Sequence, residues 1–422
     1  MVKSGYKQTE IGVIPEDWDC VRLGEKAKIY RGGSPRPIQD YITTSSDGAN
    51  WIKIGDVGEN DKYIRSTQEK ITPEGISKSR EVHIGDFILS NSMSFGRPYI
   101  LDIDGCIHDG WLTIQDYKNT FSAEYLYYLL SSDLVYQQYI GMAAGSSVKN
   151  LNKDKVSALY VIYTAVSEQE RIAEALSDVD ELISSLEKLI EKYKSIKATC
   201  LQQMFPQKGE TTPKMRLPGF TGAWEQRKLG ELSNIIDPHP SHRAPEEEEI
   251  GIPFVGIGDV DIDGNINYEK VRKVNESIYD EHHRRYDLAI PSLGIGRVAS
   301  LGKVIRLRDD IGKYAVSPTM SIMQFTENSN IDFLYAAMNT EMFQRQFALQ
   351  SNGSTRQSVG IQDLRVTEVS ISPNGEEQKE IGAYFRNLDN LITLHQRKLD
   401  KAKKIKQGMM QQLLTGKIRL NN

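Results

Sequence analysis

Cysteine is scarce in this chain: Cys20, Cys106 and Cys200 are the only three in 422 residues, and they lie far apart. Their number is odd, so neither a disulfide framework nor a zinc spacing can be built from them, which fits a reducing compartment. Long apolar runs are missing too. The longest, Ala158 to Val166, is broken by Tyr and Thr and is far too short to cross a bilayer. The first residues, MVKSGYKQTEIG, lack the apolar core of a signal peptide. No excess of positive charge advertises a polyanion partner, since the formal net charge is −5, although a basic face can be offset elsewhere. The expectation is a soluble, cytoplasmic protein with no membrane partner, and 422 residues exceed one compact core and predict two to four domains.

Motifs of catalysis are also lacking. Asp237-Pro238-His239-Pro240 has the outline of the D-P-P-Y motif of amino-methyltransferases, but the aromatic that should stack on a target base is missing. Gly294-Ile295-Gly296 has no third glycine at dinucleotide-binding spacing, and no Walker A lysine loop exists. His282 and His283 are adjacent and so cannot form a helical i, i+4 metal pair; they read as solvated loop residues. No residue is assigned a catalytic, metal-binding or cofactor-binding role.

What the chain has instead is a repeat. Residues 168–205 and 377–414 match at an offset of 209, at Glu168/Glu377, Gln169/Gln378, Ile172/Ile381, Asp180/Asp389, Leu182/Leu391, Lys197/Lys406 and Gln203/Gln412 among others. Both are free of Pro and rich in Leu, Lys, Glu and Gln, which predicts helices of roughly 55–60 Å at about 1.5 Å per residue. In the first, Val179, Leu182, Leu186, Leu189, Tyr193, Ile196 and Cys200 recur at three and four, a coiled-coil seam. The second offers Leu388, Leu391, Ile392, Leu399, Ala402, Ile405, Met409 and Leu413, with His395 and Lys398 near the stripe, which predicts looser packing or a partner. Lys401, Lys403, Lys404 and Lys406 read as a solvated face that could also serve docking or DNA phosphates.

The repeat embraces more than the helices. Trp18 and Leu23-Gly24-Glu25 return as Trp224 and Leu229-Gly230-Glu231, Ile54-Gly55-Asp56-Val57 as Ile257-Gly258-Asp259-Val260, and Gly96-Arg97 as Gly296-Arg297. Short β-branched and aromatic runs at Trp51 to Ile54, Phe87 to Leu89, Tyr99 to Ile103 and Trp111 to Ile114 predict strands. Ala123 to Tyr139 and its echo Ile331 to Phe347 predict helices. Pro206 to Thr221 has linker composition. The expected plan is thus residues 1–165 as a first mixed α/β domain, 166–205 as a central helix, 206–375 as linker and second domain, and 376–422 as a C-terminal helix.

Polar, glycine-punctuated loops recur at matched places in the two copies. Candidates for contact with a nucleic acid are Arg31, Arg36, Ser92, Arg97, Ser146, Ser147, Lys149 and Asn150 in the first, and His242, Arg243, Arg284, Arg285, Arg297, Ser354, Thr355, Arg356 and Gln357 in the second. Arg, Lys, Asn and Gln pair with base edges or hold phosphates, and Ser and Thr add short hydroxyl contacts. Read one at a time, such loops are ordinary surface turns; their recurrence is what points to function.

Two diverged units now stand out. The first opens P-E-x-W-x-x-x-x-L-G-E (Pro15 to Glu25), the second with the variant around Phe220 to Trp224, and each closes with E-Q-x-x-I and a long Leu/Lys helix ending Gln-Gln. In this the chain resembles, over essentially its whole length, the specificity subunit of type I restriction-modification enzymes. The resemblance implies an α+β fold of two target-recognition domains separated by an antiparallel, pseudo-two-fold coiled coil of two long helices. It implies that each domain reads one half of a bipartite duplex DNA target. It further implies that the chain is non-catalytic: two modification subunits would supply S-adenosylmethionine and adenine-N6 methyl transfer, and two restriction subunits, where present, ATP, magnesium and cleavage. On the helices, Leu182, Leu186, Leu189, Tyr193, Ile196, Leu391, Leu399, Ile405 and Met409 would form the coiled coil and its partner surface.

Two other readings compete. One is a scaffold whose loops bind proteins, which would not distinguish specific from scrambled duplex. The other is a self-contained methyltransferase, which would need its own cofactor site.

Overall fold

The computed structural model describes residues 4–58, 61–91, 96–143, 151–239, 245–298, 300–351 and 358–420. They gather into two compact units, each drawing on both long helices. Unit 1 is Met1–Ser185 with Asp400–Asn422, and unit 2 is Leu186–Leu399. Among the described residues no helix is long and apolar enough to cross a membrane.

In unit 1 the strands that matter are β1 (Lys28–Arg31), β2 (Ala49–Ile52), β3 (Tyr63–Ile64), β4 (Phe87–Ser90), β5 (Pro98–Leu101), β6 (Gly105–Ile107) and β7 (Trp111–Gln115). One five-stranded sheet has the order β1-β7-β4-β5-β3, and in a second β2 runs parallel to β6, Trp51 opposite Cys106. Unit 2 repeats this with β8 (Ser233–Ile236), β9 (Ile252–Val255), β10 (Ser292–Gly296), β11 (Val304–Leu307), β12 (Ala315–Val316) and β13 (Met320–Phe325). The order is β8-β13-β10-β11, and β9 runs parallel to β12, Phe254 opposite Ala315. Strands β4 and β7 are almost wholly buried, which is why they read as continuous apolar runs rather than as alternation.

Each helix expected over residues 123–139 and 331–347 is two helices. Ala123–Leu130 is followed by Asp133–Ala143, and Ile331–Met338 by Glu341–Leu349. The breaks fall at hydroxyl residues that cap the second helix: Ser132 Oγ accepts from the Val135 amide at 3.4 Å and Thr340 Oγ1 from the Phe343 amide at 3.4 Å.

The two long helices are α1 (Val166–Gln203) and α2 (Gly375–Leu413), named separately from the shorter ones. Their E-Q-x-x-I starts are now explained. Glu168 accepts from Thr164 Oγ1 at 2.7 Å and from Arg419, while Glu377 accepts from Ser372 Oγ at 2.5 Å and from Arg216. Gln169 Nε2 donates to the carbonyls of Thr164 and Thr120, and Gln378 Nε2 to that of Ser372. Ile172 and Ile381 are buried in the cores of units 1 and 2.

The seams keep most of the expected positions, but in α1 Ile183, Ile190 and Lys197 take the places expected of Leu182, Leu189 and Ile196. Ile172, Leu176, Val179, Ile183, Leu186, Ile190, Tyr193, Lys197 and Cys200 are the inward positions of α1, alternating four and three apart, and Met204, just past its end, continues the row. Their counterparts 209 residues on, Ile381, Phe385, Leu388, Ile392, His395, Leu399, Ala402, Lys406, Met409 and Leu413, are the inward positions of α2. Leu186 and Leu399 are buried and Tyr193 and Met409 half-buried in the seam; Leu189, Ile196 and Leu391 are half-buried beside it, and Leu182, 51% exposed, and Ile405, 46% exposed, face outward. Each seam carries a lysine that the apolar pattern skipped, and each lysine finds an aspartate on the other helix: Lys197 Nζ to Asp389 Oδ1 at 2.5 Å in unit 2, and Lys406 Nζ to Asp180 Oδ1 at 2.7 Å in unit 1. Lys406 is therefore no part of a solvated face, whereas Lys401, Lys403 and Lys404 are exposed. His395 stacks on Tyr193 with centroids 5.7 Å apart. Within unit 1 the contacts Arg171 to Leu420 and Asp180 to Lys406, and within unit 2 Cys200 to Tyr384 and Lys197 to Asp389, show the helix segments running antiparallel.

Candidate nucleic-acid interface

The matched loops of the two units spring from one hydrogen-bonded frame. In unit 1 the β4–β5 hairpin is closed by the Ser90 amide on the Arg97 carbonyl (3.2 Å) and the Gly96 amide on the Ser90 carbonyl (3.0 Å). Asn91 then joins two neighbours: its amide donates to Gly110, and its carbonyl accepts from Leu151. In unit 2 the β10–β11 hairpin is closed by the Gly296 amide on Lys303 (2.9 Å) and the Gly302 amide on Gly296 (3.0 Å), while Arg297 donates to Thr319 and accepts from Val359. Gly96 and Gly302 share a positive φ, +77° and +78°, which explains the glycine at both places.

This frame corrects one alignment. Gly96-Arg97 corresponds to Gly302-Lys303, and Arg297 corresponds to Asn91. The Gly-Arg pairs that invited the other register, Gly96-Arg97 and Gly296-Arg297, occupy opposite ends of their hairpins.

The described candidates have different fates. Arg31 and Arg36 are exposed and meet at Asp109, Arg31 Nε on the Asp109 carbonyl at 3.4 Å and Arg36 Nη2 on Oδ2 at 3.2 Å. Arg97 is half-buried, its guanidinium 5.6 Å from the centre of the Tyr99 ring. Its counterpart Lys303 is tied inward, Nζ donating to the carbonyls of Ile257 (2.8 Å) and Val260 (3.3 Å). Arg297 is 14% exposed and pairs with Asp237 at 3.1 Å, so its charge is met within the domain. Arg284 and Arg285 are exposed just beyond the helix Glu276–His283. Ser92, Ser146, Ser147, Lys149, Asn150, His242, Arg243, Ser354, Thr355, Arg356 and Gln357 lie outside the described residues.

Sequence reasoning missed Asp109, around which the unit 1 loops converge. Its carboxylate accepts from Ser34 Oγ at 3.0 Å and from Arg36, and His108 Nε2 lies 3.0 Å from Oδ1. The Gly110 amide donates to His108 Nδ1 at 2.9 Å, so the ring is the tautomer that carries its proton on Nε2. Burial by itself would raise the Asp109 carboxyl; hydrogen bonds from Ser34 and Arg36 and the Arg36 charge outweigh it and hold the group below the usual carboxylate range. A recess beside this hub has Trp51, Ile38 and Ile42 among its lining, with Lys53 and Glu69 at its edge, paired at 2.9 Å. The His108-Asp109-Gly110 turn between two strands was the signal available in the sequence.

His282 and His283 also depart from expectation. They end a helix rather than sit in a loop, and His282 is fully buried, its Nδ1 3.2 Å from the Val316 carbonyl and its ring 4.7 Å from that of His239. Burial first, and then the neighbouring His239, push its pKa down to about 4.

Residues 15–197 and 222–404 each match the family described as the type I restriction modification DNA specificity domain. The chain belongs to that family. Its function is the recognition of a DNA target, and the two matched segments are the duplication read above. The chain is 23% identical over 427 residues to the type I restriction enzyme MjaVIII specificity subunit of Methanocaldococcus jannaschii, covering 97% of this chain and 95% of that one. It is 24% identical over 450 residues to the putative MjaX specificity subunit of the same organism, covering 99% and 97%. Two solved structures share the fold. The type I restriction-modification S subunit from M. genitalium gives a TM-score of 0.58 at 15% identity over 94% of this chain and 96% of that one. A chain from work on complex assembly and conformational transition of the type I R-M system gives 0.56 at 17% identity over 96% and 99%.

Proposed function

We propose that this specificity chain is the non-catalytic reader of a type I restriction-modification complex. Each of its two domains reads one half of a bipartite duplex target, and the two halves differ in sequence. The observation that carries this reading is the shared hairpin frame with exchanged side chains. Asn91 stands where unit 2 has Arg297, Arg31 where it has Asp237, and His108 where it has Ser317. One scaffold thus presents two different sets of donors and acceptors, which is what reading two different half-sites requires.

The chemistry is assigned to partners: two modification subunits holding S-adenosylmethionine and transferring the methyl group to adenine N6, and restriction subunits, where present, using ATP and magnesium. The decisive experiment maps methylated adenines in cells that express this chain with its modification subunits. A motif of two short specified parts with an unspecified gap is expected, and exchanging residues 1–165 for those of a relative should change one part only. An unmethylated genome, or a motif indifferent to the exchange, would refute the reading.

A further inference from the structure

We propose that Asp109 positions Arg36 as the guanine-reading side chain of the first recognition domain. The inference rests on the DNA-reading function proposed above and says which residue does the reading and which base it takes.

The argument begins with Arg36. Its side chain is 81% exposed, and a long exposed arginine ordinarily samples many rotamers, so it discriminates poorly until it is held. Here it engages Asp109 through Nη2 alone, and the rest of the guanidinium fork remains for a second acceptor. The planar fork matches the O6 and N7 acceptors of guanine in the major groove.

Asp109 is itself fixed. Ser34 Oγ donates to one carboxylate oxygen at 3.0 Å and takes a hydrogen bond from the Asp109 amide at 3.2 Å. His108 Nε2 lies 3.0 Å from that same oxygen, and Arg31 and Asn91 hold the Asp109 carbonyl, at 3.4 Å and 3.1 Å. Five neighbours thus converge on one residue, at the base of the hairpin that Asn91 joins to Leu151. A carboxylate with so many donors could be merely a turn stabiliser. The comparison with unit 2 argues otherwise, because that frame closes without it: Pro318 stands at the corresponding place, and the cation there, Arg297, is turned inward to Asp237. The hub is therefore no part of the frame the two domains share and is particular to the first domain.

The test uses the full chain in complex with its modification subunits, with R36A, D109N and the double variant compared by methylated-motif mapping and by binding to duplexes substituted one position at a time. The half of the motif governed by residues 1–165 should contain a G·C pair at which R36A reduces discrimination about 10- to 100-fold, leaving other positions unchanged. D109N should relax the same position and add nothing in the R36A background. R36A removes an exposed side chain and so tests the idea even if D109N fails to fold. Uniform weakening at all positions, with a shallower salt dependence, would make Arg36 a phosphate contact and overturn the proposal. So would a half-site without a G·C pair, or a D109N effect at some other position. A wild-type complex that yields no motif would bring down the reading function, and this inference with it.

Discussion

Arg419 grips Glu168 with two hydrogen bonds, Nε to Oε1 at 2.7 Å and Nη2 to Oε2 at 2.8 Å, and it also holds Asp17 at 2.8 Å. The same clasp recurs in unit 2, where Arg216 holds Glu377 at 2.7 and 2.9 Å. Glu168 and Glu377 are both buried, so each clasp pairs a carboxylate that has left water with the cation that compensates it.

Removing either arginine leaves a buried carboxylate without its compensating cation, though Thr164 or Ser372 still donates to it. R419A or R216A should lower stability by about 3–5 kcal/mol, read as a loss of roughly 2–4 °C in Tm per kcal/mol by calorimetry. E168Q should cost less than R419A, because a neutral amide keeps part of the hydrogen bonding.

The first clasp also predicts an acid response. For Glu168 burial raises the carboxyl, but the Arg419 and Thr164 hydrogen bonds win and its pKa is lowered; Asp17 is lowered by Arg419. A depressed folded pKa contributes stability that is present above the unfolded value, about 4.3 for Glu, and is lost as pH falls through the folded one. Thermal scans of the wild type should therefore drop steeply below about pH 4, and those of R419A less so.

His282 sets a separate window. Its folded pKa of about 4 lies below the ordinary 6.5, so the unfolded state takes up its proton first. Stability from this group is complete above about pH 6.5 and declines as pH falls toward 4. Replacing His282 with Leu should flatten the pH dependence of unit 2 unfolding across that interval; an unchanged slope would contradict it.

The seam lysines give a test of coupling. Asp389 is fully buried and faces both Lys197 and Arg306, the latter at 3.5 Å. D389A should cost about 3–5 kcal/mol, whereas K197M combined with D389L should cost less than the sum of the two single changes. K406A should be milder, because Lys406 and Asp180 are 27% and 33% exposed.

Gly96 tests the hairpin frame. At φ +77° a Cβ would lie 2.6 Å from the Tyr139 ring, and at Gly302 it would lie 2.4 Å from Gln344 Oε1. G96A should cost more than the roughly 1–2 kcal/mol of the left-handed conformation alone, and G302A less than G96A because Gln344 can swing away. Denaturant titration of the two variants decides between them.

Much of this molecule was legible because duplication multiplies evidence. Two copies of E-Q-x-x-I, of Trp18/Trp224 and of the long helices were visible as text. What escaped reading has physical causes. Ile183 and Ile190 hold seam places expected of Leu182 and Leu189, and an apolar pattern has no place for Lys197 and Lys406, which sit in the seam paired with aspartates of the other helix. The Gly-Arg pairs misled because a dipeptide match carries no register, while the hairpin hydrogen bonds do. Ser132 and Thr340 broke helices whose apolar periodicity runs straight through them. At the site, Arg31 and Arg36 could be nominated by residue type, but Asp109 could not, since its importance lies in neighbours of which Arg31, Ser34, Arg36 and Asn91 are distant in the chain.

The composition of unit 1 bears on how the protein is made. Leu413, Leu414 and Arg419 belong to a unit whose other segment is Met1–Ser185, with the whole of unit 2 translated in between. As the polypeptide leaves the ribosome, the Trp18 ring gains the Arg419 guanidinium above it only once that later segment has emerged. The domain begun first is finished last.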